Sequence, residues 1–173
     1  MSRLPVPGPG ELRADAADLV TAITPPDGAA PATMAVLARQ PDLLSPFLGW
    51  AAALALNGVL PKRDHELLAL RAAHNCGSSF EWSEHAEYAR QAGFTDAEIA
   101  AIASPIGAGP WSEVACALLA AADELHTDAT VSDATWSTLA AHYDEPALVE
   151  ILFVVGQYTM LSMFANAAGI DAS

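Results

Sequence analysis

The chain has little with which to hold a polyanion. Its 173 residues carry seven Lys and Arg against 21 Asp and Glu, a formal charge of −14. That balance repels phosphate backbones and anionic membrane surfaces alike, so nucleic acid is not an expected partner. Cysteine is nearly missing: Cys76 and Cys116 make neither a CxxC pair nor a disulfide framework. No HExxH, cysteine cluster or paired ExxH occurs, and no metal site is spelled out. P-loop and GxGxxG patterns are absent too, which leaves nucleotides without support, and the small loop GAGP at 107–110 is weak evidence. No stretch alternates as a half-buried strand does. The opening residues MSRLPVPGPGE lack the apolar run of a secretory signal, so the expectation is a cytoplasmic protein.

What the chain does have is apolar surface. Hydrophobic residues make up 53% of it, in a length suited to one domain, which implies a large core or an extensive subunit interface. Residues 1–10, with four prolines and two glycines, read as a flexible arm. One short helix follows over Glu11–Ile23, closed by the loop TPPDGAAP, so that residues 1–30 stand apart from a helical domain at 31–171. Within that domain the spacing predicts helices over Ala32–Arg39, Leu43–Leu56, Lys62–His74, Phe80–Ala92, Asp96–Ala103, Ser112–His126, Asp133–Tyr143 and Pro146–Ala168. Stops fall where helices need them: Asn57-Gly58, Asn75 with Gly77, Gly93, SPIGAGP and Asp144-Glu145-Pro146. The fold class is all-α.

Ala147 to Ile170 is long enough to span a bilayer. Glu150, Gln157, Ser162 and Asn166 are spread along it and neither flank is basic, which favours a buried or subunit-interface helix over a membrane span.

The chemistry concentrates in Pro61–Ala89, PKRDHELLALRAAHNCGSSFEWSEHAEYA. Glu66 recurs in register with Leu67, Leu70 and Ala73, and Glu81 and His85 stand one turn apart on the same helical face. Ionisable groups facing a core are costly to place there. A carboxylate and an imidazole on one apolar face point to proton transfer. Plainer readings stand beside that one. Ser78-Ser79-Phe80-Glu81 is a capping-box pattern, as is Thr95-Asp96-Ala97-Glu98, so Glu81 has a role as a helix cap. His85 has one as a hydrogen-bonded core histidine. Glu66 has Lys62 and Arg71 within reach on its own helix. Arg71 could clamp a substrate carboxylate or close that same salt bridge. Phe80 and Trp82 could wall a pocket or fill a core, and Tyr88, three residues beyond His85, is a further pocket candidate. His65, His74, His126 and His142 point elsewhere or sit near helix ends.

DHELLALRAAHNCGSSFEWSEHAEYARQAGFTDAEI followed by DELHTDATVSDATWSTLAAHYDEPALVEILFVVGQYTMLSMFANAAGI resembles the carboxymuconolactone decarboxylase family, which also contains alkylhydroperoxidase D type peroxidases. The resemblance covers roughly residues 31–171. It implies an all-helical bundle assembled as a homo-oligomer, a trimer or hexamer, with a pocket for a small-molecule substrate near the subunit interface. In the peroxidase branch a glutamate stands twelve residues before a CxxC and a histidine four residues after it. Glu66 and His85 match that glutamate and histidine, while Ser78 and Glu81 stand where the cysteines would be. A dithiol cycle needs both sulfurs, so it cannot run here. Cys76, offset by two positions, reads as a small buried hydrophobe.

The form Phe-Glu-Trp-x-x-His resembles the decarboxylase-like branch, which implies a lyase using no metal and no organic cofactor. Loss of CO2 from a carboxylated lactone leaves an electron pair on the lactone carbonyl, and protonation on carbon completes the reaction. That demands donors for the enolate oxygen and a poised acid. By the resemblance His85 is the acid or an enolate donor, Glu81 sets its tautomer, and Glu66 relays a proton. The same parts suit isomerisation or dehydration. Lys62, Arg63 and Arg71 are the cations near the motif, too few for several carboxylates, so a less charged substrate than the namesake's is expected. Two further readings remain open: a peroxidase-like redox protein, and a non-catalytic small-molecule-binding oligomer.

Overall fold

The computed structural model describes residues 2–172 except Pro9 and Asp27, and within them the chain is all helical. The helices are α1 (Ala14–Ala22), α2 (Ala32–Leu37), α3 (Pro41–Ala55), α4 (Lys62–Asn75), α5 (Ser79–Gln91), α6 (Asp96–Ile102), α7 (Glu113–Asp128), α8 (Asp133–Ala140) and α9 (Glu145–Ala168). They match the expected helices to within three residues at most ends. A single 3-10 turn at Ile106–Ala108 lies inside the expected SPIGAGP loop.

α4 is the hub, packed against α5, α7 and α9. Leu67, Leu68 and Leu70 fill the space between these helices, while Ala69, Ala72 and Ala73 let neighbouring backbones approach. Its end is set by Gly77, whose φ of 61° makes the left-handed turn that an L side chain resists. The Ser78 hydroxyl then accepts from the Glu81 amide and α5 begins, folding back on α4.

Only half of the expected capping box forms there. The Ser78 amide donates to the Ala73 carbonyl, so the Glu81 carboxylate is not needed at the helix start and is free for other work. At Thr95–Glu98 both halves are present, with Thr95 Oγ1 accepting from the Glu98 amide and the Glu98 carboxylate accepting from the Thr95 amide.

α9 is the one helix among the described residues long and apolar enough to cross a membrane by length and composition. In this fold about half of that stretch, 56%, is buried, against α4, α5, α7, α8 and α2. Asp144 caps it by accepting from the Ala147 amide, and Gly169 ends it in the left-handed region. Glu150, a charge inside the apolar run, is buried but satisfied: it accepts from the amides of Val59 at 2.6 Å and Leu60 at 3.3 Å. The opposite side of α9 leaves Val149, Phe153, Met160 and Met163 exposed, with Trp50 of α3 set edge-on against Phe153.

The N-terminal arm, expected to be flexible, is tied to this helix. The amides of Arg3 and Leu4 both donate to the Ala168 carbonyl, and Arg39 donates to the Pro5 carbonyl. The reason is local, since the last carbonyls of a helix have no partners within it. Met1 and Pro9 of the arm, and Asp27 of the TPPDGAAP loop, lie outside the described residues.

Gly58 owes its identity to Glu150. A Cβ there would stand 2.2 Å from Glu150 Oε1 and 2.6 Å from the Leu54 carbonyl oxygen. Gly58→Ala is therefore expected to lower stability by about 1–3 kcal/mol. Gly49→Ala, inside α3 where an added Cβ meets nothing, should gain about 0.5–1 kcal/mol. Urea unfolding midpoints measure both, and equal midpoints would remove the close approach as the reason for the glycine.

Candidate active site

The bundle forms a cavity of about 580 Å³ that opens to solvent past Leu56 and Tyr88, a size suited to a small molecule. Its apolar wall includes Met34, Phe47, Ala51 and Leu161, and its polar wall comes from α4, α5 and α9. Of the residues singled out in the sequence, Glu66, Phe80, Glu81, His85 and Tyr88 line it.

His85 is the centre. Its Nδ1–H donates to Glu66 Oε2 at 2.7 Å, across the α4–α5 packing, and its Nε2 faces Glu81 Oε2 at 3.7 Å. All three residues are buried. The partner expected to set the tautomer was Glu81; the geometry gives that position to Glu66, because only it lies within hydrogen-bond distance. Nor does Glu66 pair with Lys62 or Arg71, the same-helix partners weighed from the sequence. Nε2 is left free to take up or release a proton beside Glu81. Burial, partly opposed by His85, raises the Glu81 carboxyl to about 7, so near neutral pH it shares protonated and ionised forms. The two ring nitrogens point to different carboxylates, an arrangement for moving protons rather than for closing on one ion.

Two of the expected substrate-binding residues are placed away from the cavity. Arg71 makes a bidentate pair with Asp123 of α7, both bonds at 2.6 Å, and its Nη1 donates to the carbonyls of Ile102 and Ser104. Those bonds use up the fork that a substrate carboxylate would need. Trp82 packs edge-on to His74, with centroids 6.2 Å apart, against the main core. Arg63 is likewise engaged, by Glu98, the Gly93 carbonyl and the face of Phe94. Lys62 is the Lys or Arg among the described residues that line the cavity, and Glu66, Glu81 and Glu84 line it too.

Sequence reasoning passed over Tyr158 and His65. Tyr158 of α9 lines the cavity with its ring edge-on to His85, centroids 4.2 Å apart, and its hydroxyl lies 2.9 Å from His65 Nε2. The available signal was a Gln-Tyr pair interrupting the apolar run of α9. Gln157 lines the cavity as well, and its Oε1 is buried without a hydrogen-bond partner. Cys76 does not line it; its thiol is 3.9 Å from His126 Nδ1, and burial pushes it above the ordinary thiol range.

Comparison with known proteins finds likenesses in family and in fold. The model of the carboxymuconolactone decarboxylase family matches residues 41–124. The match runs from α3 into α7 and contains Glu66, Glu81 and His85; α8 and α9 lie beyond it. Among solved structures, a peroxidase-related protein of uncharacterized role from Silicibacter sp. TM1040 superimposes with a TM-score of 0.84 at 17% identity, covering 97% of this chain and 90% of that one. An alkylhydroperoxidase AhpD core, an uncharacterized peroxidase-related protein from Ralstonia eutropha JMP134, gives 0.80 at 21% identity, covering 99% and 92%. At such identities the likeness shows the fold. A comparison with curated proteins gave no match.

Glu81 makes stability depend on pH. Its folded value of about 7 lies above the ordinary 4.5, so the protonated form is favoured by folding. The contribution is full below about pH 4.5 and is lost as pH rises through about 7. Wild type is expected to lose on the order of 1–3 kcal/mol across that window. Glu81→Gln should flatten the curve, with urea midpoints at pH 5, 6, 7 and 8 isolating the difference. Parallel curves for the two proteins would show that Glu81 titrates like an exposed carboxylate.

Proposed function

We propose that this chain is a cofactor-independent lyase, or a related isomerase or dehydratase, acting by proton transfer on an enolisable carboxylated lactone or carbonyl compound, in aromatic catabolism or specialised metabolism. The observation that carries the reading is His85, held by Glu66 on one ring nitrogen and facing a raised carboxyl with the other, on the wall of a cavity. In the decarboxylation form, the bond between the α-carbon and the substrate carboxylate breaks and CO2 leaves. The bonding pair passes through the conjugated system onto the carbonyl oxygen. A proton from His85 Nε2 then closes the carbon centre, and Glu81 or water returns a proton to the imidazole. For isomerisation, the same nitrogen removes one carbon-bound proton and delivers another.

The family match supports a role of this family's kind, and the missing CxxC separates this chain from dithiol peroxidase chemistry. Three carboxylates against Lys62 at the cavity favour a substrate carrying at most one anionic group. Assembly into a homo-oligomer of this chain, a trimer or hexamer in the cytoplasm, is part of the proposal. It is supported by the uncharged exposed stripe Val149, Phe153, Met160 and Met163, a surface that self-association would cover.

Incubation in D2O with carboxylated lactones, β-keto acids and related carbonyl compounds, read by mass spectrometry, tests the chemistry. Wild type is expected to incorporate deuterium at carbon, and His85→Ala to do so about 10²–10⁴-fold more slowly with its fold intact. Cys76→Ser should match wild type; its loss of turnover would instead favour the redox reading. Binding without exchange across the panel would favour a non-catalytic binding protein. Sedimentation is expected to show an oligomer, and a stable monomer would count against the assembly.

A further inference from the structure

We propose that Tyr158 is the hydrogen-bond donor to the substrate's carbonyl oxygen, where enolate charge develops, and that buried His65 holds it in that role by donating Nε2–H to the tyrosine oxygen. The inference rests on the proton-transfer reading above and adds to it a second functional group, on a different helix from His85.

The chemistry needs two groups. While His85 Nδ1 is tied to Glu66, Nε2 is the ring's one remaining site. It cannot hold the enolate oxygen and deliver a proton to carbon in the same step. A separate donor must therefore face the cavity, fixed before charge develops. Tyr158 is in place: it lines the cavity, its ring contacts the ring of His85, and burial excludes competing water.

Its hydroxyl has one proton and two lone pairs, and neutral His65 has one N–H. Two arrangements of their 2.9 Å bond are thus possible. In one, the tyrosine spends its proton on His65. In the other, His65 donates and the tyrosine proton is free for the cavity. The charges around the hydroxyl choose between them. Burial and the nearby carboxylates of Glu66 and Glu81 hold the phenol far above its ordinary range. The field of those carboxylates draws the positive end of the O–H dipole towards the cavity and leaves a lone pair towards His65. Burial also lowers His65 below the ordinary imidazole range, so it stays neutral, with a single N–H to give. His65 thereby acts as a positioning residue, and Tyr158 touches the substrate.

Two measurements test this without relying on turnover. Nitrogen-15 NMR of the wild-type protein at pH 7 is expected to show His65 neutral and protonated on Nε2. A bare Nε2 accepting from tyrosine overturns the inference. Carbon-13 NMR of γ-butyrolactone labelled at its carbonyl, titrated into wild type, should show a downfield shift on binding. Tyr158→Phe should remove that shift, His65→Gln, which keeps a donor, should preserve it, and His65→Leu should weaken it, with circular dichroism confirming the fold of each. No shift in wild type, or the same shift in Tyr158→Phe, overturns the role of Tyr158; equal shifts in His65→Gln and His65→Leu overturn that of His65. Deuterium exchange judges the proton-transfer reading separately: a wild type that shifts the carbonyl yet exchanges nothing keeps Tyr158 as the carbonyl donor and loses the lyase. Where exchange occurs, Tyr158→Phe should slow it about 10²–10³-fold.

Discussion

The whole bundle depends on the burial of α4. Nine consecutive residues, His65 to Ala73, are out of water, and three of them, His65, Glu66 and Arg71, are ionisable. A helix cannot bury such groups on all sides unless each meets a partner, because an unpaired charge in the interior costs several kcal/mol. Each partner comes from a different neighbour. His65 meets Tyr158 of α9, Glu66 meets His85 of α5, and Arg71 meets Asp123 of α7. The leucines and alanines of α4 supply the apolar burial, but they tolerate small rotations and slides. The three polar pairs do not, and so they fix the register of the helices packed around α4.

The pairs differ in what they leave unused. Arg71 is closed: its fork is filled by Asp123 and its remaining donor by two backbone carbonyls, so a ligand finds nothing to bind. His85 is open. One nitrogen is committed to Glu66, the other faces a carboxyl too far away for a hydrogen bond, and a cavity adjoins both. The same physical demand, pairing a buried ionisable group, thus yields a structural lock at one end of α4 and a titratable site at the other. What separates them is an uncommitted ring nitrogen beside the cavity.

The sequence was most legible where structure is local. Helix spacing, Gly77 and Gly93 as stops and the Thr95–Glu98 capping box all depend on residues within a turn or two of one another, and each has its counterpart in the structure. The proximity of Glu81 to His85 was legible for the same reason, being one helical turn. Partners brought together by the fold were not. Asp123 lies 52 positions from Arg71 and Tyr158 lies 93 from His65, and no spacing rule reaches that far. Trp82 and Phe80 show the limit inside a single helix. Both are aromatic and two residues apart, yet Phe80 meets the cavity and Trp82 the core, because α5 is buried on more than one side. α9 concealed Tyr158 for a related reason: a helix apolar all round gives no periodicity from which to read its inward face.

Where the resemblance places the two peroxidase cysteines, this chain carries Ser78 and Glu81. Ser78, at the first position, is buried and spends its hydroxyl on the Glu81 amide, capping α5. Glu81, at the second, brings to the face of His85 a carboxyl raised to about 7 by burial. A thiol there would exchange electrons with a partner sulfur; a carboxyl exchanges only protons. Glu66 and His85, matched to the family's glutamate and histidine, suit either use, since proton movement accompanies both. Under the proposed function, the absence of that sulfur pair and the presence of the Glu81 carboxyl act in the same direction, towards acid–base chemistry.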